Sequence, residues 1–190
     1  MSDQLTHEEK QTLLRLARQA LELGVRGEKL PPLDFASLTP ALRADGASFV
    51  TLTERGQLRG CIGALEAYQP LAEDVREHAI AAALNDYRFP PVQSGELGRI
   101  HIEVSRLTAP ALLEYASPED LLARLRPRVD GVVLKDGSRR ATFLPQVWEQ
   151  IEDPEEFLEH LCAKMGAPRD QWRRKHLEVW TYQVEEFHEQ

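Results

Sequence analysis

Two runs of β-branched and alternating residues, 48–53 (SFVTLT) and 58–65 (LRGCIGAL), stand on either side of the break Glu54-Arg55-Gly56-Gln57. A connection that short has no room for a crossover, so the two runs must pair antiparallel as a β-hairpin. A third run, residues 99–107, alternates cleanly, with Ile100, Ile102 and Val104 on one side and His101, Glu103 and Ser105 on the other. That period of two predicts a strand with one polar face.

Helical periodicity surrounds these strands. Thr6 and Glu9 have capping-box spacing, and Leu13, Leu16, Ala17, Ala20 and Leu21 recur at helical intervals toward Gly24, the expected stop. Pro70 at a first helical position, Glu73 and Asp74 in the first turn, and Leu71, Val75, Ala79, Ala82 and Ala83 on one face predict a second helix ending near Asn85. Its alanine face is suited to close packing on a sheet. Residues 86–98 (DYRFPPVQSGELG) contain prolines and glycines throughout and predict a long loop, the kind of segment that often binds. Farther on, Ser117-Pro118 opens a short helix, Asp136-Gly137 marks a hairpin, and Asp153-Pro154 starts a helix carrying Phe157, Leu158, Leu161, Cys162 and Met165. Residues 177–187 read as one closing strand with Trp180, Tyr182 and Val184 on one side.

The irregular mixture of helices and hairpins predicts an α+β fold with a mainly antiparallel sheet flanked by helices. At 190 residues the chain fits a single domain, 1–190, with room for a larger and a smaller lobe. The segments around 30–32 and 108–117 are the candidate lobe boundaries. The longest apolar run, residues 79–84, is far below the roughly 20 residues that cross a bilayer. The start MSDQLTHEEK lacks the pattern of a signal peptide, so a cytoplasmic location is expected. Two distant cysteines, Cys61 and Cys162, form no disulfide framework and no paired metal spacing. A net charge of −8 disfavours nucleic acid, and the basic run 169–176 (RDQWRRKH) reads better as a solvated helix face. No metal and no cofactor are expected; His160 and Cys162 fall on different faces of a helix. Trp148, Trp172 and Trp180 read as packing residues.

The chemically unusual stretch is Leu58-Arg59-Gly60-Cys61-Ile62-Gly63. On a strand, Arg59 and Cys61 share a face, and a cation beside sulfur favours thiolate over thiol, as a nucleophile requires. The two glycines strip side-chain cover from a backbone whose N–H groups suit an oxyanion or a substrate carboxylate. The plainer reading of the same residues has Cys61 as a small buried hydrophobe, Gly63 at a bulge and Arg59 paired with a structural carboxylate.

LRGCIG, with RFPPV at 88–92, IEVSRLT at 102–108 and ATFLPQVWEQ at 141–150, resembles the AMMECR-one domain family, whose prokaryotic members are also called AmmeMemoRadiSam system protein A. The resemblance runs from about Glu9 to Phe187. It implies an α+β fold of a larger and a smaller lobe, a cleft lined by the hexapeptide strand, and association with a Memo-like protein and a radical-SAM protein. It brings no settled reaction. Carried over onto this sequence, the family's motifs fall on Arg59, Gly60, Cys61 and Gly63, on Asp86, Arg88 and Phe89, on Glu103, and on Pro145 and Gln146. This chain has Tyr87 where the family usually has proline.

Two functional expectations follow. In the first, a small-molecule substrate is bound or modified in a cleft around Cys61, with Cys61 as nucleophile, Glu103 moving a proton or orienting Arg59, and Arg59, Gly60, Gly63, Asp86, Arg88 and Gln146 contacting substrate. Any radical-SAM cluster then belongs to the partner, because two distant cysteines cannot ligate one. In the second, the protein is a non-catalytic interaction or regulatory factor that docks through the LRGCIG region and the 86–98 loop.

Overall fold

A computed structural model describes residues 4–190, which divide into two compact units, 4–107 with 185–190, and Thr108–Val184. The first unit opens with α1 (His7–Val25), capped as its sequence predicts: the Glu9 backbone N–H donates to Thr6 Oγ1 at 3.2 Å and the Thr6 N–H donates to Glu9 Oε2 at 2.8 Å. Gly24 does not end this helix. It lies inside it, where an added Cβ would come within 3.0 Å of Ile80, and the left-handed stop is Gly27 at φ +71°. Gly24 is therefore a helix-packing residue rather than a cap.

After the short α2 (Pro40–Arg43), β1 (Asp45–Glu54) and β2 (Gln57–Gly63) form the expected hairpin. Arg55 and Gly56 both have positive φ, 53° and 76°, the backbone of a two-residue type I′ turn whose twist matches the strands it joins. Then come β3 (Gln69–Pro70), which adds to β1, and α3 (Leu71–Leu84), followed by β4 (Ile100–Leu107). Between α3 and β4 the expected loop is shorter than its composition suggests, because Ser94–Arg99 closes into a 3₁₀ turn stapled by Glu96, whose carboxylate accepts from the Gln93 N–H at 2.7 Å.

The sheet of this unit runs β2-β1-β4 and then the closing strand Val184–His188. Val50, Leu52, Ile102 and Val104 point from it into a cluster filled by Leu13, Ala17, Leu21, Val75, Ala79 and Ala82 of the two long helices. The alanine face of α3 allows an approach so close that a Cβ built on Gly60 would sit 2.1 Å from the Ala82 carbonyl oxygen.

The second unit contains β5 (Ala111–Leu112), α4 (Pro118–Arg124), β6 (Gly131–Asp136), β7 (Arg139–Phe143), a 3₁₀ turn Pro145–Glu149, α5 (Pro154–Lys164), α6 (Gln171–Arg174) and β8 (Glu178–Tyr182). Its antiparallel sheet has the order β5-β8-β6-β7. One face packs Val132, Leu134 and Val179 against Trp148, Phe157, Leu158 and Leu161, with the Trp148 and Phe157 rings stacked at 3.6 Å. The sequence read residues 177–187 as one strand; the structure breaks it into β8 and β9 (Val184–His188), which belong to different sheets. Gln183 marks the break, its N–H donating to Thr108 Oγ1 at 2.8 Å and its side chain to Asp130 at 3.2 Å. The fold is α+β, as expected. No helix among the described residues is long and apolar enough to cross a membrane.

Candidate functional site

Cys61 lies half-buried on β2, the edge strand of the first sheet. Its register partner on β1 is Thr51, and Thr51 in turn is paired with Glu103 on β4, so the three residues form one row across the sheet. The Thr51 hydroxyl donates to Cys61 Sγ at 3.3 Å. A hydroxyl donor on sulfur stabilises developing negative charge there.

The outer edge of β2 at this point has no neighbouring strand, and side chains take its place. Asp86 Oδ2 accepts the Cys61 backbone N–H at 2.9 Å, and Arg88 Nη2 donates to the Cys61 carbonyl at 3.3 Å. The two side chains are joined to each other: Arg88 Nε reaches Asp86 Oδ1 at 2.9 Å and Arg88 Nη2 reaches Asp86 Oδ2 at 2.7 Å. The fork thus imitates one rung of a missing strand and satisfies an otherwise open edge. Hydrogen bonds from Arg88, then from the backbone N–H groups of Cys61 and Arg88, hold the Asp86 carboxyl well below the usual carboxylate range. Arg88 is pushed up chiefly by Asp86, with a smaller attraction to the Cys61 sulfur.

Three expectations from sequence change here. The cation tied to Cys61 is Arg88, whereas Arg59 is spent on Glu96, with Nε–Oε1 at 2.8 Å and Nη2–Oε2 at 3.2 Å, and on the Pro90 carbonyl at 2.9 Å. Arg59 therefore clamps the 86–93 loop to the strand, and the carboxylate that orients it is Glu96 rather than Glu103. The Arg59 pairing is the chief reason the Glu96 carboxyl is lowered. Second, the Cys61 N–H is already bonded to Asp86, which removes it as an oxyanion donor. Third, the motif glycines serve packing: Gly60 lies under Ala82, and a Cβ on Gly63 would fall 2.4 Å from both the Phe49 ring and the Ser48 carbonyl. Close packing is thus what requires glycine at 60 and 63.

Glu103 is half-buried and on the same polar face as Cys61, yet with Thr51 between them the two stand roughly two strand spacings, about 9.5 Å, apart. His101 is exposed on that face, opposite Thr53. Gln146 belongs to the second unit, exposed on the 3₁₀ turn. Tyr87, where the family has proline, is 95% exposed at the tip of the loop. Sequence reasoning missed Thr51. The hairpin register contained the signal, but only once an irregularity is placed: pairing shifts between Leu52 and Thr53, and without that extra residue Cys61 would oppose Val50 on the core side.

The features assembled so far define an α+β protein with a half-buried thiol on a sheet edge, held by an Asp–Arg fork. The AMMECR1 family model matches residues 14–187, and the chain belongs to that family. A protein from Methanothermobacter thermautotrophicus is 42% identical over 189 residues, covering 97% of this chain and 96% of that protein. One from Thermofilum pendens is 40% identical, with coverage of 96% and 91%. Among solved structures, the uncharacterised protein PH0010 from Pyrococcus horikoshii superposes with a TM-score of 0.78 at 35% identity, covering 98% of this chain and 94% of that one.

Proposed function

We propose that the protein binds a small electrophilic substrate beside Cys61 and that the thiol reacts with it or holds it covalently, in concert with Memo-like and radical-SAM partners. The observation carrying this reading is the Thr51 hydroxyl pointed at a half-buried Sγ whose residue has its backbone N–H held by Asp86 and its carbonyl by Arg88. A sulfur that accepts from a hydroxyl, in a residue whose carbonyl holds a guanidinium, is placed as a nucleophile needs to be. In the covalent step Sγ adds to an electrophilic carbon: the S–H bond breaks, an S–C bond forms, and the thiol proton ends on the substrate atom that takes the displaced electron pair. Arg88, exposed on its outer side, is the group that meets an anionic substituent, and Glu103 and His101 lie along the same face to bind its far end.

The test pairs chemistry with biology. Iodoacetamide should label Cys61 in the native protein and spare Cys162, and Cys61→Ser should abolish function in the cell. A Cys61→Ser strain with full function, or native labelling no faster at Cys61 than at Cys162, overturns the proposal. A second reading has its own observation: Tyr87, 95% exposed beside the same fork, is an aromatic anchor suited to a protein partner. Under that reading Tyr87→Ala removes function while Cys61→Ser retains it.

A further inference from the structure

The second sheet has a face that the Trp148–Phe157 core does not use. Val132 and Leu134 point into that core, so Val133 and Lys135, alternating with them along β6, point the other way. On this face a pocket of about 250 Å³ is lined by Pro110, Val133, Lys135, Arg140 and Trp180. Its charges are arranged unusually. Lys135 is paired directly across the ladder with Arg140, and two like charges opposite one another destabilise a sheet unless something negative lies between them. Arg140 has a partner of its own. The acid nearest in register is Glu178, paired with Lys135 on the other side, and its carboxylate is turned to the Trp180 indole N–H at 3.4 Å. Among the described residues no carboxylate stands at ion-pairing distance from the Lys135 ammonium.

The walls complete the picture. Trp180 is half-buried and offers a ring, Pro110 lies beside it, and the buried Val133 closes the floor. The volume decides the size of the occupant. Sites for drug-sized ligands run from roughly 300 to 1,000 Å³, so this one has room for a single ring and one charged group, and none for a dinucleotide. The geometry points to a binding site for a small aromatic anion, its ring stacked on Trp180 and its carboxylate or phosphate on Lys135 beside Arg140. This site is formed within the second unit and does not depend on any role of Cys61.

Trp180 is also the reporter. Trp148 and Trp172 are fully buried, which leaves Trp180 as the indole that a dissolved aromatic can quench. Full-length protein titrated with benzoate or phenyl phosphate should show saturable quenching, with a dissociation constant on the order of 1 mM, typical of a fragment-sized ligand. The two probes separate carboxylate from phosphate recognition, and saturation by either sustains the site. Benzyl alcohol, with the ring but no charge, should bind at least about tenfold more weakly, and Lys135→Gln should weaken the anion by a similar factor without lowering the thermal midpoint. Should Lys135→Gln fail to fold, Arg140→Gln is read in the same titration. Quenching that stays linear to about 10 mM with both anions, benzyl alcohol binding as tightly as they do, or a folded variant binding like the parent overturns the proposal.

Discussion

Cys162 lies on α5 with no exposed surface, packed into the cluster of Phe157, Leu158 and Leu161, whereas Cys61 lies half-buried on an edge strand with Thr51 on its sulfur and the Asp86–Arg88 fork on its backbone. Burial pushes the Cys162 thiol up, away from the reactive thiolate. Cys61 has polar groups where Cys162 has hydrocarbon. One residue type thus serves as filler in one place and as a reactive candidate in the other, and the backbone decides which. A helix interior surrounds its side chains with neighbours from its own and adjoining elements. An edge strand leaves one side of its backbone open, and whatever satisfies that edge brings charge next to the side chain.

Removing the support under Cys61 should have the largest effect. Gly60→Ala would put a methyl 2.1 Å from the Ala82 carbonyl, and backbone on both sides cannot yield cheaply. We expect a loss of about 3 kcal/mol, read as a lower urea midpoint at unchanged slope, since overpacking a close helix–strand contact costs in this range. A variant within about 0.5 kcal/mol of the parent would show that α3 is free to retreat from the strand. The cysteines themselves give the next effect. Cys162→Ser should cost about 2 kcal/mol, because the hydroxyl enters an apolar cluster, and the Trp172 backbone N–H can satisfy an oxygen lone pair there but not the new O–H. Cys61→Ser, beside Thr51, should change stability by less than about 0.5 kcal/mol. Equal losses in chemical denaturation would erase the distinction drawn between the two sites.

Much of this was legible in the chain. The capping box at Thr6 and Glu9, the Arg55-Gly56 hairpin, the helix opened by Ser117-Pro118 and the alanine face of α3 are local or periodic signals, and local geometry realises them. What escaped depends on partners far along the chain. Gly24 has the look of a helix stop, and only the arrival of Ile80 makes it a packing residue inside the helix. Arg59 and Cys61 are near neighbours in sequence, so a shared microenvironment was the natural expectation. The extra residue in the β1–β2 ladder instead sends Arg59 to Glu96 and pairs Cys61 with Thr51, while the cation arrives from residue 88. A bulge shifts every pairing beyond it by one residue, and alternation alone does not reveal where it sits. The motif's glycines also admit a helix and a ring, a requirement set by residues 82 and 49 that the hexapeptide alone does not reveal.

The fork offers the finest test of the difference between the two cysteines, because only Cys61 has a titrating group on its backbone. Asp86 is held below the usual carboxylate range in the folded protein, first by the Arg88 side chain and then by the backbone N–H groups of Cys61 and Arg88. The folded state therefore binds the Asp86 proton less readily than the unfolded state, whose carboxyl titrates near 4. This contribution is fully present above that value and is lost as pH falls toward the lower folded value. Asp86→Asn keeps an oxygen for the Cys61 N–H but gives up the charge that binds Arg88. It should cost about 1.5 kcal/mol at pH 7, the net worth of a hydrogen bond to a charged group. The gap between parent and variant should then narrow steadily between about pH 5 and pH 2. Glu9 and Glu96, also lowered, keep some acid sensitivity in both proteins, so the two curves converge without becoming flat. Urea midpoints taken across this range would show it. A gap that stays constant with pH would mean that Asp86 supports the edge through shape alone, and that the charge beside Cys61 is incidental to the fold.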